Sequence, residues 1–221
     1  MKRTKMLYDD RNRKRALVIT AHVEGIPHIH VKNADYDEII CADGGIRASD
    51  ALGLHPSRYI GDYDSADQPD VPDLIKLPCR KNMTDSEAAI DLAIEDGCTD
   101  ITILGGLGGR FDHTMGNIGM LAAYTGKIPH IEILDGWNRV FLSDPGTVRV
   151  SRHGFKYISI IAYGSEVSGI TLRGVKYLLD DYTLSNETTR GVSNEIEEGC
   201  EEAVITHKSG RLLIIQSNDA D

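Results

Sequence analysis

The sequence has no apolar run approaching the roughly 20 residues that cross a bilayer, so no membrane-spanning helix is expected. It has no C-x-x-C pair. Its four cysteines, Cys41, Cys79, Cys98 and Cys200, lie far apart, which argues against a disulfide framework or zinc site. Reduced cytoplasm is the expected compartment. No secretory h-region follows the basic opening, because the run Ala16–Ala21 is too short for one. Basic residues are also in deficit, 24 against 34 acidic ones, for a formal net charge of −10. That argues against sequence-blind binding to nucleic acid, which needs Lys and Arg to neutralise phosphates. The cluster Lys2, Arg3, Lys5, Arg11, Arg13, Lys14 and Arg15 is interrupted by Asp9 and Asp10 and reads as a solvated terminus. There is no internal repeat and no low-complexity tract. Neither a Walker A loop nor a G-x-G-x-x-G after the first strand is present.

What is present is an ordinary soluble composition, 41% apolar and 26% charged, with a patterned first half. Strand-like runs at Ala16–Thr20, Glu38–Ala42, Tyr59-Ile60, Ile101–Leu104 and Ile131–Leu134 alternate with helix-like stretches. One helix ends at Leu52 with Gly53 as its stop. Another opens on Thr84-Asp85-Ser86-Glu87, a capping box, and stops at Gly97. A third runs over Asp112–Tyr124, after the glycine loop Gly105–Gly109. This order predicts an α/β domain, a mostly parallel sheet flanked by helices. After Asp135 the pattern changes to short β-favouring runs: Arg139–Leu142, Thr147–Val150, Tyr157–Tyr163, Gly169–Leu172, Ala203–Thr206 and Leu212–Gln216. They predict an all-β sandwich, with a boundary near Gly136–Pro145 and domains of 1–138 and 139–221.

Strand direction then makes a chemical prediction. In a parallel sheet the loops leaving the carboxyl ends of the strands share one rim, where ligands bind. Asp43, Asp62, Asp64 and Asp112 all follow predicted strands, and Asp85 opens a helix that can face the same side. Grouped carboxylates repel each other, and a divalent cation removes the difficulty. Mg²⁺ prefers one or two carboxylates completed by water and phosphate oxygens, so the pattern points to Mg·ATP. Each acid has a plainer reading: Asp43 as a turn residue, Asp85 opposing a helix dipole, Asp112 as an N-cap. The joint reading rests on density, since turns at the opposite edge are expected to carry fewer Asp. Gly105–Arg110 adds an anion site, with glycines exposing backbone amides and Arg110 able to hold phosphate oxygens at two points. His113 reads either as a phosphate contact or as structural, and His28 with His30 as an exposed loop. An Asp-x-Asp after a strand also opens phosphatases that form a phospho-aspartyl intermediate, here on Asp62. A nucleotide-sensing module without turnover is the non-enzymatic alternative.

Several motifs together resemble the thiamine pyrophosphokinase family. They are Ala42-Asp43-Gly44-Gly45, Gly61-Asp62-Tyr63-Asp64-Ser65, Asn82-Met83-Thr84-Asp85-Ser86-Glu87 and Gly108-Gly109-Arg110-Phe111-Asp112-His113, with Asn117 one turn onward. Gly169-Ile170-Thr171-Leu172-Arg173-Gly174 and Gly191-Val192-Ser193-Asn194-Glu195 continue the match. The loop Thr20–Gly25 departs from the family's small residues after the first strand. The resemblance implies an ATP-binding α/β domain and a thiamine-binding β-sandwich, in homodimers that hold thiamine between one subunit's α/β domain and the other's sandwich. It implies Mg²⁺ on Asp62, Asp64 and Asp85, and Asp112 near the reacting hydroxyl, as base or positioner. It places Asp43, Gly44, Gly45, Lys81, Gly109, Arg110 and His113 toward ATP and Ser193 with Asn194 toward thiamine. The implied reaction transfers pyrophosphate from ATP to the thiamine hydroxyl; a pterin alcohol is the alternative acceptor.

Overall fold

A computed structural model describes residues 13–63, 70–71, 74–78 and 82–220. Asp64, Ser65, Cys79 and Lys81 therefore lie outside the described residues. The chain divides into two compact units between Gly136 and Trp137.

The first unit is built on parallel strands β1 (Arg15–Ile19), β2 (Glu38–Ala42), β3 (Arg58–Gly61), β4 (Leu74–Lys76), β5 (Asp100–Leu104) and β6 (His130–Leu134). Their spatial order is β6-β5-β1-β2-β3-β4, every neighbour parallel. Strands β2 and β5 are buried at every position, as expected of a sheet covered on both faces. The helices are α1 (Ile46–Leu52), α2 (Asp85–Glu95) and α3 (Phe111–Tyr124). Leu17, Ile19, Ile39, Cys41 and Leu104 pack with Ala48 of α1 into one core cluster. Each fully buried aliphatic side chain of this kind contributes roughly 1.5–3 kcal/mol.

Helix boundaries follow local chemistry. Thr84 Oγ1 accepts from the Glu87 amide at 3.2 Å, and Glu87 Oε2 accepts from the Thr84 amide at 2.8 Å. Gly53 and Gly97 both take left-handed φ, as helix stops require. Thr84→Ala is expected to cost about 1 kcal/mol, read as a shift in the urea midpoint at unchanged m-value.

The amino ends of the strands corrects one expectation, for this edge is not poor in acids. Asp100, 3% exposed, meets Arg13 at 2.6 Å and Arg15 at 3.2 Å. Glu38, 7% exposed, meets Arg58 at 3.3 Å, and Arg58 also reaches Asp96 at 2.9 Å. Burial, then the charge of Asp96, pushes the Glu38 carboxyl above its usual range. Each of these acids has an Arg beside it.

The second unit has antiparallel strands β7 (Asn138–Ser143), β8 (Gly146–Ser151), β9 (Tyr157–Tyr163), β10 (Val167–Arg173), β11 (Leu179–Leu184), β12 (Asn194–Glu195), β13 (Glu202–His207) and β14 (Arg211–Ser217). They run in the orders β12-β9-β14-β7 and β11-β10-β13-β8. Phe141, Ile158, Ile160 and Ile214 from the first set share one core cluster with Val150, Ile170, Leu172 and Ile205 from the second.

Candidate active site

The strand order reverses at β1, whose neighbours are β2 on one side and β5 on the other. In open α/β sheets a ligand crevice forms at the carboxyl ends beside such a reversal. A cleft of about 550 Å³ opens there. Its lining draws Thr20 and His22 from the loop after β1, Asp43 from the turn after β2 and Asp62 from the end of β3. Asp85 from the start of α2 joins them, with Gly106, Gly108, Arg110 and His113 from the glycine loop and the start of α3. Residues scattered over the first half of the sequence are thus gathered in one place, as strand direction requires.

The acids sit on constrained backbone. Asp43 has φ 47° and Tyr63 has φ 53°, left-handed values that cost a non-glycine residue roughly 1–3 kcal/mol. Gly61 lies between them in space: a Cβ there would stand 3.0 Å from Asp43 Cα and 3.4 Å from the Tyr63 ring. The Tyr63 hydroxyl is buried, and its pKa is pushed up to about 12 by burial, with the charges of Asp43 and Asp85 among further causes. Tyr63 therefore presents an O–H at working pH, beside carboxylates whose negative potential reaches it.

Gly44 and Gly45 are buried under this turn. A Cβ on Gly45 would collide with the Ile19 carbonyl, so its bareness serves packing against β1.

The glycine loop is held from several sides. Gly105, Gly106, Gly108 and Gly109 all have φ between 58° and 92°. The Gly106 amide donates to the His22 carbonyl at 2.8 Å, and Asn117 Nδ2 donates to the Gly106 carbonyl at 2.7 Å. Thr20 Oγ1 donates to the Leu104 carbonyl at 3.1 Å.

Arg110 takes the N-cap position of α3, so Asp112 lies inside the first turn. Its Nε and Nη2 donate to the two Asp112 carboxylate oxygens at 3.1 and 2.6 Å. This pairing, first among the causes, holds the Asp112 carboxyl below its ordinary range. Both side chains are exposed, 74% and 65%. Asp112 orients Arg110 here and is absent from the cleft lining, while Arg110 and His113 belong to it.

Ser193 and Asn194 lie in the second unit. Asn194 is buried, and its side chain is committed: Oδ1 accepts from the Tyr177 amide at 3.0 Å and Nδ2 donates to the Tyr177 carbonyl at 2.8 Å. It shapes a cleft of about 660 Å³ that Tyr177, Leu178, Arg190 and Val192 also line. Ser193 is exposed at φ 59°, its amide donating to Ser159 Oγ at 2.9 Å. Asp64 and Lys81 lie outside the described residues.

Thr20 and His22 line the site although no motif gives them a role. Thr20 and His22 follow β1 directly, and the rule of carboxyl ends that found Asp43 and Asp62 finds them too.

Among the described residues no group of three His, Cys, Asp or Glu forms a metal cage by itself. The hard oxygens of Asp43, Asp62 and Asp85 around one cleft fit Mg²⁺, which takes one or two carboxylates and leaves the rest to water and phosphate.

The catalytic-domain model of thiamin pyrophosphokinase matches residues 30–133, and the vitamin B1 binding domain model of that enzyme matches residues 147–212. Thiamine pyrophosphokinase of Bacillus subtilis is 31% identical over 177 residues, 76% of this chain and 81% of that protein. Among solved structures, a thiamin pyrophosphokinase family protein from Enterococcus faecalis superposes with TM-score 0.82 at 26% identity, covering 94% of this chain and 100% of that one. Thiamin pyrophosphokinase from Geobacillus thermodenitrificans gives 0.79 at 28% identity, covering 94% and 99%.

Proposed function

From the premise that this chain belongs to the thiamin pyrophosphokinase family, we propose how its cleft carries out the reaction. The activity is transfer of pyrophosphate from ATP to the thiamine hydroxyl, giving thiamine pyrophosphate and AMP. Neither a phospho-aspartyl phosphatase nor a kinase of pterin alcohols is favoured, since both matching models name thiamin.

The observation that carries the proposed mechanism is the convergence of Asp43, Asp62, Asp85 and Arg110 on one cleft at the strand-order reversal. ATP occupies this cleft in the proposal. Asp62 and Asp85, with Asp64, would hold Mg²⁺, and the ion would neutralise charge on the phosphate oxygens. Arg110, aligned by Asp112, presents its guanidinium to a phosphate from the exposed side. The glycine loop brings a phosphate to the positive end of α3, although its Gly105 and Gly106 amides already donate to the Leu134 and His22 carbonyls. Transfers of this type depend on alignment and on placing positive charge where negative charge develops, and the held loop supplies both. Asp112 has two roles open to it, presenting Arg110 and receiving or orienting the thiamine hydroxyl. Tyr63, its pKa pushed up to about 12 by burial, stays protonated throughout the working range.

The second unit takes thiamine in this reading. Ser193 is placed on the exposed turn, and Asn194 acts by fixing the Tyr177 loop. A homodimer is the proposed assembly. Tyr177, Leu178 and Val192, 69%, 61% and 49% exposed, supply an apolar surface suited to being covered. Cytoplasm is the proposed location; no helix among the described residues is long and apolar enough to cross a membrane.

The test is to mix purified protein with ATP, Mg²⁺ and thiamine and separate the products. Thiamine pyrophosphate with AMP is expected. ADP or free phosphate as the only nucleotide-derived product contradicts the reading.

A further inference from the structure

The glycine loop already carries an anion of the protein's own. Glu24 Oε1 accepts from the Gly109 backbone amide at 3.2 Å and lies 3.1 Å from His22 Nε2. A Cβ on Gly108 would overlap the Glu24 carboxylate, and one on Gly109 would stand 3.0 Å from His22 Nε2. Both side chains therefore lie flat against the loop where it has no side chains of its own. Gly108 and His22 themselves line the cleft. The backbone that delivers Glu24 is fixed: its carbonyl accepts from the Gly136 amide at 3.0 Å, and Gly136 is pressed against the Gly25 carbonyl.

The geometry points to Glu24 as an internal competitor for nucleotide phosphate, its carboxylate seated on a loop amide that a phosphate oxygen would otherwise take. The inference rests on the reading that this cleft binds ATP, and it adds a residue that sets how tightly. An amide N–H serves one strong acceptor at a time, and two anions at one donor repel. A phosphate must either displace Glu24 toward His22 or bind beside a like charge. In both cases the carboxylate lowers the affinity for ATP while keeping the loop shaped when no nucleotide is bound. Like charges about 4 Å apart in water-like surroundings interact by roughly 1 kcal/mol, or about fivefold in affinity.

Glu24→Gln keeps an acceptor oxygen for the Gly109 amide and removes the charge. By calorimetry it is expected to bind ATP and inorganic pyrophosphate about fivefold more tightly than wild type, with adenosine affinity unchanged. Glu24→Asp keeps the charge but draws it back from the loop, and is expected to gain in the same direction by less. ATP binding that is unchanged or weaker in Glu24→Gln overturns the inference, because a purely supporting side chain gives that result. Arg110→Ala separates the two levels of the argument. If it binds ATP as wild type does, the cleft reading falls. If it weakens ATP while Glu24→Gln shows no gain, the cleft reading stands and competition by Glu24 is refuted.

Discussion

Asp62→Asn is expected to lower kcat for pyrophosphate transfer by about 10²–10³-fold while the chain still folds with a cooperative urea transition. Asn matches Asp in size, so the end of β3 and its packing on the Asp43 turn are undisturbed. What changes is one negative charge in a cleft that also receives Asp43 and Asp85. Removing it lowers the repulsion among the carboxylates of the empty cleft. The same change weakens the grip on a hard cation, and with it the charge neutralisation that the transfer requires. Asp85→Asn is expected to lose activity on the same scale. It should also lose roughly 0.3–1 kcal/mol of stability, because an acid in the first turn of α2 opposes the helix dipole. Residues that hold one group act as a unit, so the double variant should be little worse than either single one. Steady-state kinetics across a Mg²⁺ titration, with urea unfolding on the same samples, checks all three. Wild-type kcat for Asp62→Asn at saturating Mg²⁺ would remove Asp62 from the site.

Gly45→Ala is expected to destabilise the first unit by about 3 kcal/mol and to reduce activity with it. Gly45 has an ordinary helical φ of −59°, so backbone strain is not the cause. The cause is contact: an added Cβ meets the Ile19 carbonyl and carbonyl carbon, and a backbone group of a central strand cannot swing aside. The turn Asp43–Gly45 must then move, taking Asp43 with it. Gly119→Ala gives the contrast. Gly119 lies within α3 with nothing near its missing Cβ, and Ala there should stabilise by roughly 0.5–1 kcal/mol. Equal urea midpoints for the Gly45 and Gly119 variants would show that the close approach at β1 does not exist.

Much of this arrangement was legible in the sequence, for a physical reason. Buried parallel strands are short apolar runs, and their carboxyl ends share a rim whatever the intervening loops do. Asp43, Asp62 and Asp85 followed from that rule together with the capping box at Thr84. Strands β4, of three residues, and β12, of two, were too short to leave a pattern. Strand β11, Leu-Asp-Asp-Tyr-Thr-Leu, is an edge strand with largely exposed side chains, and its two Asp residues hid it. The paired acids of the amino edge were missed because their partners are distant in sequence: Arg15 and Asp100 meet only when β1 pairs with β5. Asp112 was assigned to the hydroxyl by motif, and no spacing rule foretells that Arg110 claims both its oxygens. Thr20 and His22 were overlooked because the loop holding them departs from the family's small residues, although its position after β1 was enough to find them.

The parallel sheet also conceals two of the thiols. Cys41 in β2 and Cys98 just before β5 are buried, and burial lifts their pKa values to about 12 and about 11. Neither forms thiolate at neutral pH, so an alkylating reagent meets them only after the strands have parted. Cys200 is partly exposed and can be blocked beforehand. Capture of Cys41 and Cys98, followed peptide by peptide, then acts as a clock on how often this half of the molecule opens.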